Sequence, residues 1–125
     1  MTQAASGGPV VAVTGAGQGI GRALARAFAR QGAGLVVSDI DVGSCAGAAG
    51  GLAALGGPAD VTRAEDCATL VGRTVEAFGR LDVMVCNAGI MQLKPLLGLE
   101  ASDWGRMLGV NVKGTFLTLQ AGGRV

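Results

Sequence analysis

The chain has 125 residues, a formal net charge of +1 and 23 glycines, and half of its residues are apolar. This length is typical of one domain, and the near-neutral charge leaves no basic stripe to bind nucleic acid. The glycines follow no Gly-X-Y period, which excludes a collagen-like chain. The sequence contains no histidine and no tyrosine, so the 125 residues offer neither an imidazole nor a phenol for catalysis.

The cysteines and the N-terminal residues bear on the cellular compartment. Cys45, Cys67 and Cys86 are odd in number and widely spaced, which fits neither a disulfide framework nor a zinc site, so we expect buried, reduced thiols. The first residues lack the basic and apolar regions of a signal peptide, and the uncharged stretch 42–59 is too rich in glycine and alanine to insert in a membrane. We therefore expect a cytoplasmic protein with no metal site and no membrane partner.

The first part of the chain predicts a strand followed by a helix. Residues 10–13 form an apolar run that is typical of a strand buried on both faces of a parallel sheet. The segment TGAGQGIG follows at residues 14–21. Apolar residues then recur at helical spacing from Ile20, which predicts a helix ending at Gly32.

The alternation of strands and helices continues through the middle of the chain. Residues 35–38 predict a second strand, closed by Asp39. Residues 43–55 predict a helix that its glycines weaken, and residues 58–61 predict a short third strand.

Two further helices flank the fourth predicted strand. Residues 62–78 predict a helix ended by Gly79, with Thr62 as N-cap and Glu65 completing a capping box. Residues 83–86 predict the strand. Ser102 then caps a last predicted helix, whose periodic positions are Trp104, Met107, Leu108, Asn111 and Val112.

This succession of β-α units predicts an α/β fold, a Rossmann-type doubly wound parallel sheet of about four strands. Ligands of such sheets bind beyond the carboxyl ends of the strands. The distinctive segments of this sequence all follow predicted strands: residues 14–21, Asp39, Asp60 and residues 87–89. We therefore expect them to meet at one rim of the sheet.

The glycine-rich segment predicts a phosphate-binding loop. Gly15 permits a tight turn, Gly19 lets a pyrophosphate approach the backbone, and Gly21 lets the helix pack close to the sheet. The helix that begins near Ile20 directs its free N–H groups toward the phosphates. This G-x-x-x-G-x-G spacing differs from the usual G-x-G-x-x-G. A glycine turn with a purely structural role is the alternative.

Asp39 bears on the choice of nucleotide. Its carboxylate can accept hydrogen bonds from the hydroxyls of a ribose. It also repels a 2′-phosphate, by roughly 4 kcal/mol for unit charges ~4 Å apart at an effective dielectric of about 20, and Gln18 supplies no compensating charge. The sequence therefore favours NAD over NADP as cofactor. Alternatively, Asp39 only ends the strand or caps the next helix.

Four motifs occur in order along the chain: TGAGQGIG at 14–21, Asp60 with Val61, CNAG at 86–89 and VNVKG at 110–114. Together they resemble the N-terminal part of the classical short-chain dehydrogenase/reductase family, over nearly the whole chain. The resemblance implies an NAD(P)-dependent oxidoreductase that transfers hydride between a nicotinamide and a small-molecule alcohol or carbonyl substrate.

By this resemblance, the glycine loop would hold the pyrophosphate and the adenine-side ribose. Asp39, followed by Ile40, would bind that ribose, and Asp60 with Val61 would bind the adenine ring. The CNAG motif would support the sheet and line the cofactor. The implied cofactor-binding residues are Gly15, Gln18, Gly19, Ile20, Gly21, Asp39, Ile40, Asp60, Val61, Asn87, Ala88, Gly89 and Val110.

Asn111 matches the family's active-site asparagine, which opens its helix locally and holds a water of the proton relay. The family's catalytic serine and Tyr-x-x-x-Lys motif have no counterpart among these residues. We therefore expect residues 1–125 to be a single, partial NAD-binding domain, truncated and inactive alone, that forms oligomers only through the missing elements. The final GGRV resembles the lead into the family's fifth strand but follows Gln120 too soon, through either a deletion or an accidental likeness.

Other functions stay open from the sequence. A non-catalytic dinucleotide-binding module would bind NAD without turnover, and a non-functional fragment would show no cooperative thermal transition. A methyltransferase also has a glycine loop and an acid after the second strand. The spacing of the glycines and the CNAG motif disfavour it.

Overall fold

The computed structural model describes residues 7–49 and 54–125. Within these residues there are four strands, β1 (Val10–Thr14), β2 (Gly34–Asp39), β3 (Ala54–Pro58) and β4 (Val83–Val85). They form one parallel sheet with the spatial order β3-β2-β1-β4. The central strand β1 is paired on both sides, with Val11 opposite Leu35 on one neighbour and opposite Val83 on the other.

Helices connect the strands and cover both faces of the sheet, so the predicted Rossmann-type fold class is confirmed. A 3₁₀ turn at Leu96–Gly98 precedes the last helical region, in which a π-helical segment, Gly109–Gly114, separates two α-helices. The α-helices are α1 (Gly19–Arg30), α2 (Val42–Ala49), α3 (Ala64–Phe78), α4 (Ala101–Leu108) and α5 (Thr115–Gly122).

The core lies on both faces of the sheet because successive side chains of a strand point to opposite faces. On one face, Val11 and Val13 of β1 pack in a cluster with Ala25 of α1 and Cys45 of α2. On the other face, Ala12 of β1 packs with Val36 and with Leu70 of α3. Every residue of β1 is buried, which agrees with the apolar run predicted at residues 10–13 and extends it to Thr14.

The third strand is displaced from its predicted position. The strand β3 is Ala54–Pro58, so of the predicted residues 58–61 only Pro58 belongs to it. Thr62 N–H and Oγ1 both donate to Asp60 Oδ1, which turns the chain there. The predicted helix 43–55 is also wrong at its end. The described helix is Val42–Ala49, positions 50–53 lie outside the described residues, and positions 54 and 55 belong to β3.

Two predicted helix caps are wrong. The N-cap of α3 is Arg63 instead of Thr62, because the Thr62 hydroxyl is already bonded to Asp60, 2.7 Å away. The N-cap of α4 is Glu100, whose N–H donates to Asp103 Oδ2 at 3.0 Å, so Ser102 lies within the first turn. Gly79 ends α3 as predicted, in a left-handed conformation with φ 78°.

The cysteines are free thiols. Cys45 and Cys67 are buried as expected, whereas Cys86, which follows the edge strand β4, is half-buried. Burial raises the pKa of all three thiols. They are therefore protonated near neutral pH and weak nucleophiles.

Candidate functional site

The glycine loop leaves the carboxyl end of β1 and is attached to the end of β2. Gly15 turns the chain with a φ of 63°. The N–H of Ala16 then donates to the Ser38 carbonyl, and the N–H of Gly17 donates to Asp39 Oδ2, each at 2.9 Å. These two consecutive bonds fix the loop beside Asp39, the last residue of β2.

The three motif glycines meet different surroundings. A Cβ atom on Gly15 would lie 2.8 Å from Ala88 Cα, and one on Gly21 would overlap the Gly15 carbonyl and the Asn87 amide nitrogen. A Cβ on Gly19 would meet no atom within 4 Å, and its φ is 57°. Gly15 and Gly21 therefore let the loop, helix and β4 pack closely, whereas Gly19 leaves open space at the N-terminus of α1.

Thr14 and Asn87 join the ends of β1 and β4. The backbone N–H groups of Asn87 and Ala88 both donate to Thr14 Oγ1 at 3.1 Å, and Thr14 Oγ1 donates to the Val85 carbonyl at 3.3 Å. Asn87 Nδ2 donates to the carbonyls of Thr14 and Gly15, at 3.2 and 3.1 Å. The CNAG segment is thereby held directly against the glycine loop.

A cavity of about 400 Å³ opens where these strand ends meet. Every predicted cofactor-binding residue except Gly21 lines it, because Gly21 packs behind the loop. Two lining residues were not predicted from the sequence, Ala59 and Ile90, although each is next to a predicted one. The lining residues are Gly15, Gln18, Gly19, Ile20, Asp39, Ile40, Ala59, Asp60, Val61, Asn87, Ala88, Gly89, Ile90 and Val110.

Among the described residues that line the cavity, the charged ones are Asp39 and Asp60, and none is a lysine or an arginine. Asp39 accepts backbone N–H groups on both oxygens, from Gly17 on Oδ2 and from Asp41 on Oδ1 at 3.1 Å. Hydrogen bonds from the hydroxyl and N–H of Thr62 hold the pKa of Asp60 below its ordinary value. Each carboxylate oxygen can accept a further hydrogen bond, so both acids can accept bonds from a ligand.

Asn111 lies in the π-helical segment and does not line this cavity. Its Oδ1 accepts the Ile90 N–H and its Nδ2 donates to the Ile90 carbonyl, each at 2.8 Å. The Asn111 carbonyl accepts the Thr115 hydroxyl at 3.0 Å. The side-chain amide is therefore engaged in holding the chain after β4, next to the cavity-lining Ile90.

Two residues that shape the site were not predicted from the sequence. Thr14 is the first residue of TGAGQGIG and Gly17 lies inside it, but the sequence predicted no role for either. Their contacts are with residues far along the chain, Asn87 for Thr14 and Asp39 for Gly17. A buried hydroxyl at the end of a parallel strand is a signal that could have identified Thr14.

Neither a membrane span nor a metal cluster occurs in the parts of the chain that the structure describes. No helix in residues 7–49 and 54–125 combines the length and apolarity needed to cross a bilayer. In the same residues, no three side chains of the metal-binding types histidine, cysteine, aspartate and glutamate come together.

A parallel sheet with a glycine loop after its central strand and a cavity at the strand ends defines a Rossmann-type nucleotide-binding domain. The family model described as short chain dehydrogenase matches residues 9–124. The chain belongs to this family, whose members bind a nicotinamide dinucleotide.

Named relatives and solved structures agree with this assignment. The D-threitol dehydrogenase of Mycolicibacterium smegmatis is 38% identical over 94% of this chain and 47% of its own length. A (2S)-[(R)-hydroxy(phenyl)methyl]succinyl-CoA dehydrogenase subunit of Thauera aromatica, BbsD, is 38% identical over 90% of this chain and 47% of its own. A short-chain dehydrogenase/reductase from Burkholderia phymatum in complex with NAD superposes with a TM-score of 0.90 and 32% identity, covering 98% of this chain and 46% of that one. The chain thus spans about half the length of the curated relatives it matches.

Proposed function

We propose that this chain is the dinucleotide-binding domain of an oxidoreductase that transfers hydride between NAD and a small-molecule alcohol or carbonyl compound. The observation that carries the proposal is the cavity where the glycine loop, Asp39 and the Asn87 segment meet. Relatives with dehydrogenase names and the NAD complex of a structural neighbour support it. The free thiols support a cytoplasmic location for the protein.

The residues at the cavity fit the adenosine and pyrophosphate of a dinucleotide. Gly19 presents bare backbone with open space above it, at a helix N-terminus, where anions are stabilised. Asp39 would accept the hydroxyls of the adenine-side ribose. Asp60 and Val61 would contact the adenine, and Ala88 to Ile90 with Val110 would line the remainder.

The preference for NAD over NADP rests on charge. Asp39 lines the cavity as a carboxylate, and no lysine or arginine lies among the lining residues to neutralise a 2′-phosphate. A phosphate beside Asp39 would therefore meet uncompensated repulsion. NAD has a hydroxyl at the same position and meets a hydrogen-bond acceptor instead.

The nicotinamide, when bound, supplies or accepts the hydride, and the protein must manage the proton on the substrate oxygen. The 125 residues contain no phenol or imidazole that could transfer this proton. The oxygen and the nitrogen of the Asn111 side-chain amide are both hydrogen-bonded to the backbone of Ile90. We infer that Asn111 is a positioning residue in this chain. A group that transfers this proton typically contributes 10²- to 10⁴-fold, so we expect the chain to bind NAD without appreciable turnover.

Calorimetric titration of the chain with NAD, NADP and S-adenosylmethionine tests the proposal. We expect saturable NAD binding and weaker NADP binding. We also expect a cooperative thermal transition whose midpoint temperature rises when NAD is added. Binding of S-adenosylmethionine without NAD would indicate a methyltransferase. Absence of a cooperative transition would show that the chain does not form a functional domain by itself. Turnover of NAD with a panel of alcohols would contradict the assignment of a binding role alone.

A further inference from the structure

The glycine loop is bonded directly to Asp39, the last residue of β2. Gly17 N–H donates to Asp39 Oδ2 at 2.9 Å, and the neighbouring Ala16 N–H donates to the Ser38 carbonyl. On its other side, the Asp39 carboxylate accepts the Asp41 N–H on Oδ1. Two backbone donors, one on each oxygen, thus set the plane of the carboxylate.

Gly17 is required here for space, because its φ is not positive, unlike those of Gly15 and Gly19. A Cβ atom on Gly17 would lie 2.7 Å from Asp39 Oδ2 and 2.6 Å from Ser44 Cβ. Real Cβ atoms essentially never make such contacts. A side chain at this position would therefore push the carboxylate away from the loop, or push α2 away from it, while leaving the backbone conformation accessible.

We propose that Gly17 is a positioning residue that determines nucleotide specificity by holding the Asp39 carboxylate toward the ribose site. The proposal rests on the proposed NAD-binding function. The glycine loop, which receives the phosphates, and the acid, which receives the ribose, are fixed at one separation by this bond. Displacement of the carboxylate removes both an acceptor for the ribose of NAD and the repulsion that disfavours NADP.

The first test is hydrogen exchange of single amides, which needs no nucleotide. In Asp39→Ala, the Gly17 amide loses its acceptor, and we expect its exchange to accelerate about tenfold, the size of one lost hydrogen bond to a charged group. The Ala16 amide is the internal control, since its acceptor is a backbone carbonyl. In Asp39→Asn, which keeps an acceptor oxygen, the Gly17 amide should stay protected. Equal protection of Gly17 in Asp39→Ala would overturn the proposal.

The second test is the ratio of NAD to NADP affinity in Gly17→Ala. We expect the preference for NAD to fall by about tenfold, again one hydrogen bond to a charged group. Gly72→Ala is the matched control, because it adds the same methyl group to an open position on α3. In Gly17→Ala with Ser44→Gly, the contact with Ser44 is relieved but the contact with Asp39 stays, so the ratio should stay low.

The outcomes separate this inference from the proposed function. Failure of the parent chain to bind NAD would count against the proposed function. An unchanged ratio in Gly17→Ala, with NAD bound by the parent chain, would overturn the role of Gly17 alone. Recovery of the ratio in the double variant would show that α2 is displaced instead of the carboxylate, and would also overturn it.

Discussion

The carboxamide of Asn111 bonds to both backbone polar groups of Ile90, accepting its N–H and donating to its carbonyl at 2.8 Å each. This pair of bonds connects the π-helical segment to the chain that follows β4. Ile90 also lines the cavity. Asn111 can therefore affect the shape of the nucleotide site without touching a nucleotide.

We expect Asn111→Ala to lower the free energy of unfolding by about 1 kcal/mol, the usual net value of such bonds at an exposed position, and to weaken NAD binding. Chemical denaturation and calorimetric titration measure the two effects. Gln120→Ala is the control, since the Gln120 amide bonds to no described residue. Equal behaviour of the two variants would argue against the Ile90 contact as the cause.

Thr14→Val should destabilise the chain more than Thr14→Ser. Valine keeps the volume of Thr14 but leaves the Ala88 N–H without its acceptor, whereas the Asn87 N–H keeps the Val85 carbonyl at 3.1 Å. A polar group left unpaired away from water costs about 1–3 kcal/mol, whereas serine retains the hydroxyl. Urea denaturation of both variants measures the difference, and similar midpoints would show that the hydroxyl contributes little.

The glycines at 19 and 21 should separate ligand binding from stability. Gly21→Ala forces a methyl group onto the Gly15 carbonyl and the Asn87 amide, and overpacking of this kind costs about 1–3 kcal/mol. Gly19→Ala adds a methyl group in open space, at a positive φ that costs about 1 kcal/mol. We therefore expect Gly19→Ala to weaken NAD binding strongly for its modest loss of stability. The reverse order of effects would contradict the assigned phosphate approach.

Asp39→Ala should weaken NAD binding more than NADP binding, because only NAD has a 2′-hydroxyl to donate a hydrogen bond to the carboxylate and only the 2′-phosphate of NADP is repelled by it. Competition titrations with both nucleotides give the ratio. Glu76→Ala removes the same charge from an exposed position on α3 and should leave the ratio unchanged. Equal weakening of both nucleotides by Asp39→Ala would refute the ribose role.

Asp103 should make stability depend on pH in the acid range. Its hydrogen bonds with Lys94 and with the Glu100 N–H lower the pKa of Asp103 to about 2. The stabilisation is thus complete above the ordinary aspartate pKa, about 3.9, and is lost as the pH falls toward 2. Denaturation curves measured between about pH 4 and pH 2 should show that the free energy of unfolding declines more steeply with falling pH in the parent chain than in Asp103→Asn. Parallel declines would exclude Asp103 as a contributor.

The order of the elements and most of the cavity lining could be predicted because both follow from local patterns. An apolar run, a glycine turn and a helical period specify β1, its loop and α1 without knowledge of the rest of the chain. The position of the third strand could not be predicted, because its sequence ALGGP has little strand preference. The Gly57 N–H donates to Cys45 Sγ, and a Cβ atom at this position would overlap the Arg73 guanidinium. Tertiary contacts therefore determine this strand.

The remaining errors arise where polar side chains had a choice of partners. Thr62 has the chemistry of an N-cap, but it bonds to Asp60 instead. The π-helical segment shows no deviation in the apolar period from Trp104 to Val112, so a continuous helix was predicted. The contacts of Gly17 and Thr14 use the backbone or a single hydroxyl and leave no periodic signal in the sequence.

The N–H groups of Asn87 and Ala88 donate to Thr14 Oγ1 from 73 and 74 positions away, so these bonds close a loop of more than seventy residues. Contacts of such separation form late when a chain folds, because their entropic cost must be met before they stabilise anything. The pairing of β1 with β4 is therefore expected to be among the last parts of the sheet to assemble. Because the nucleotide site lies beside this strand pair, nucleotide binding would report on the final refolding step. During refolding, it would recover after the helical structure has returned.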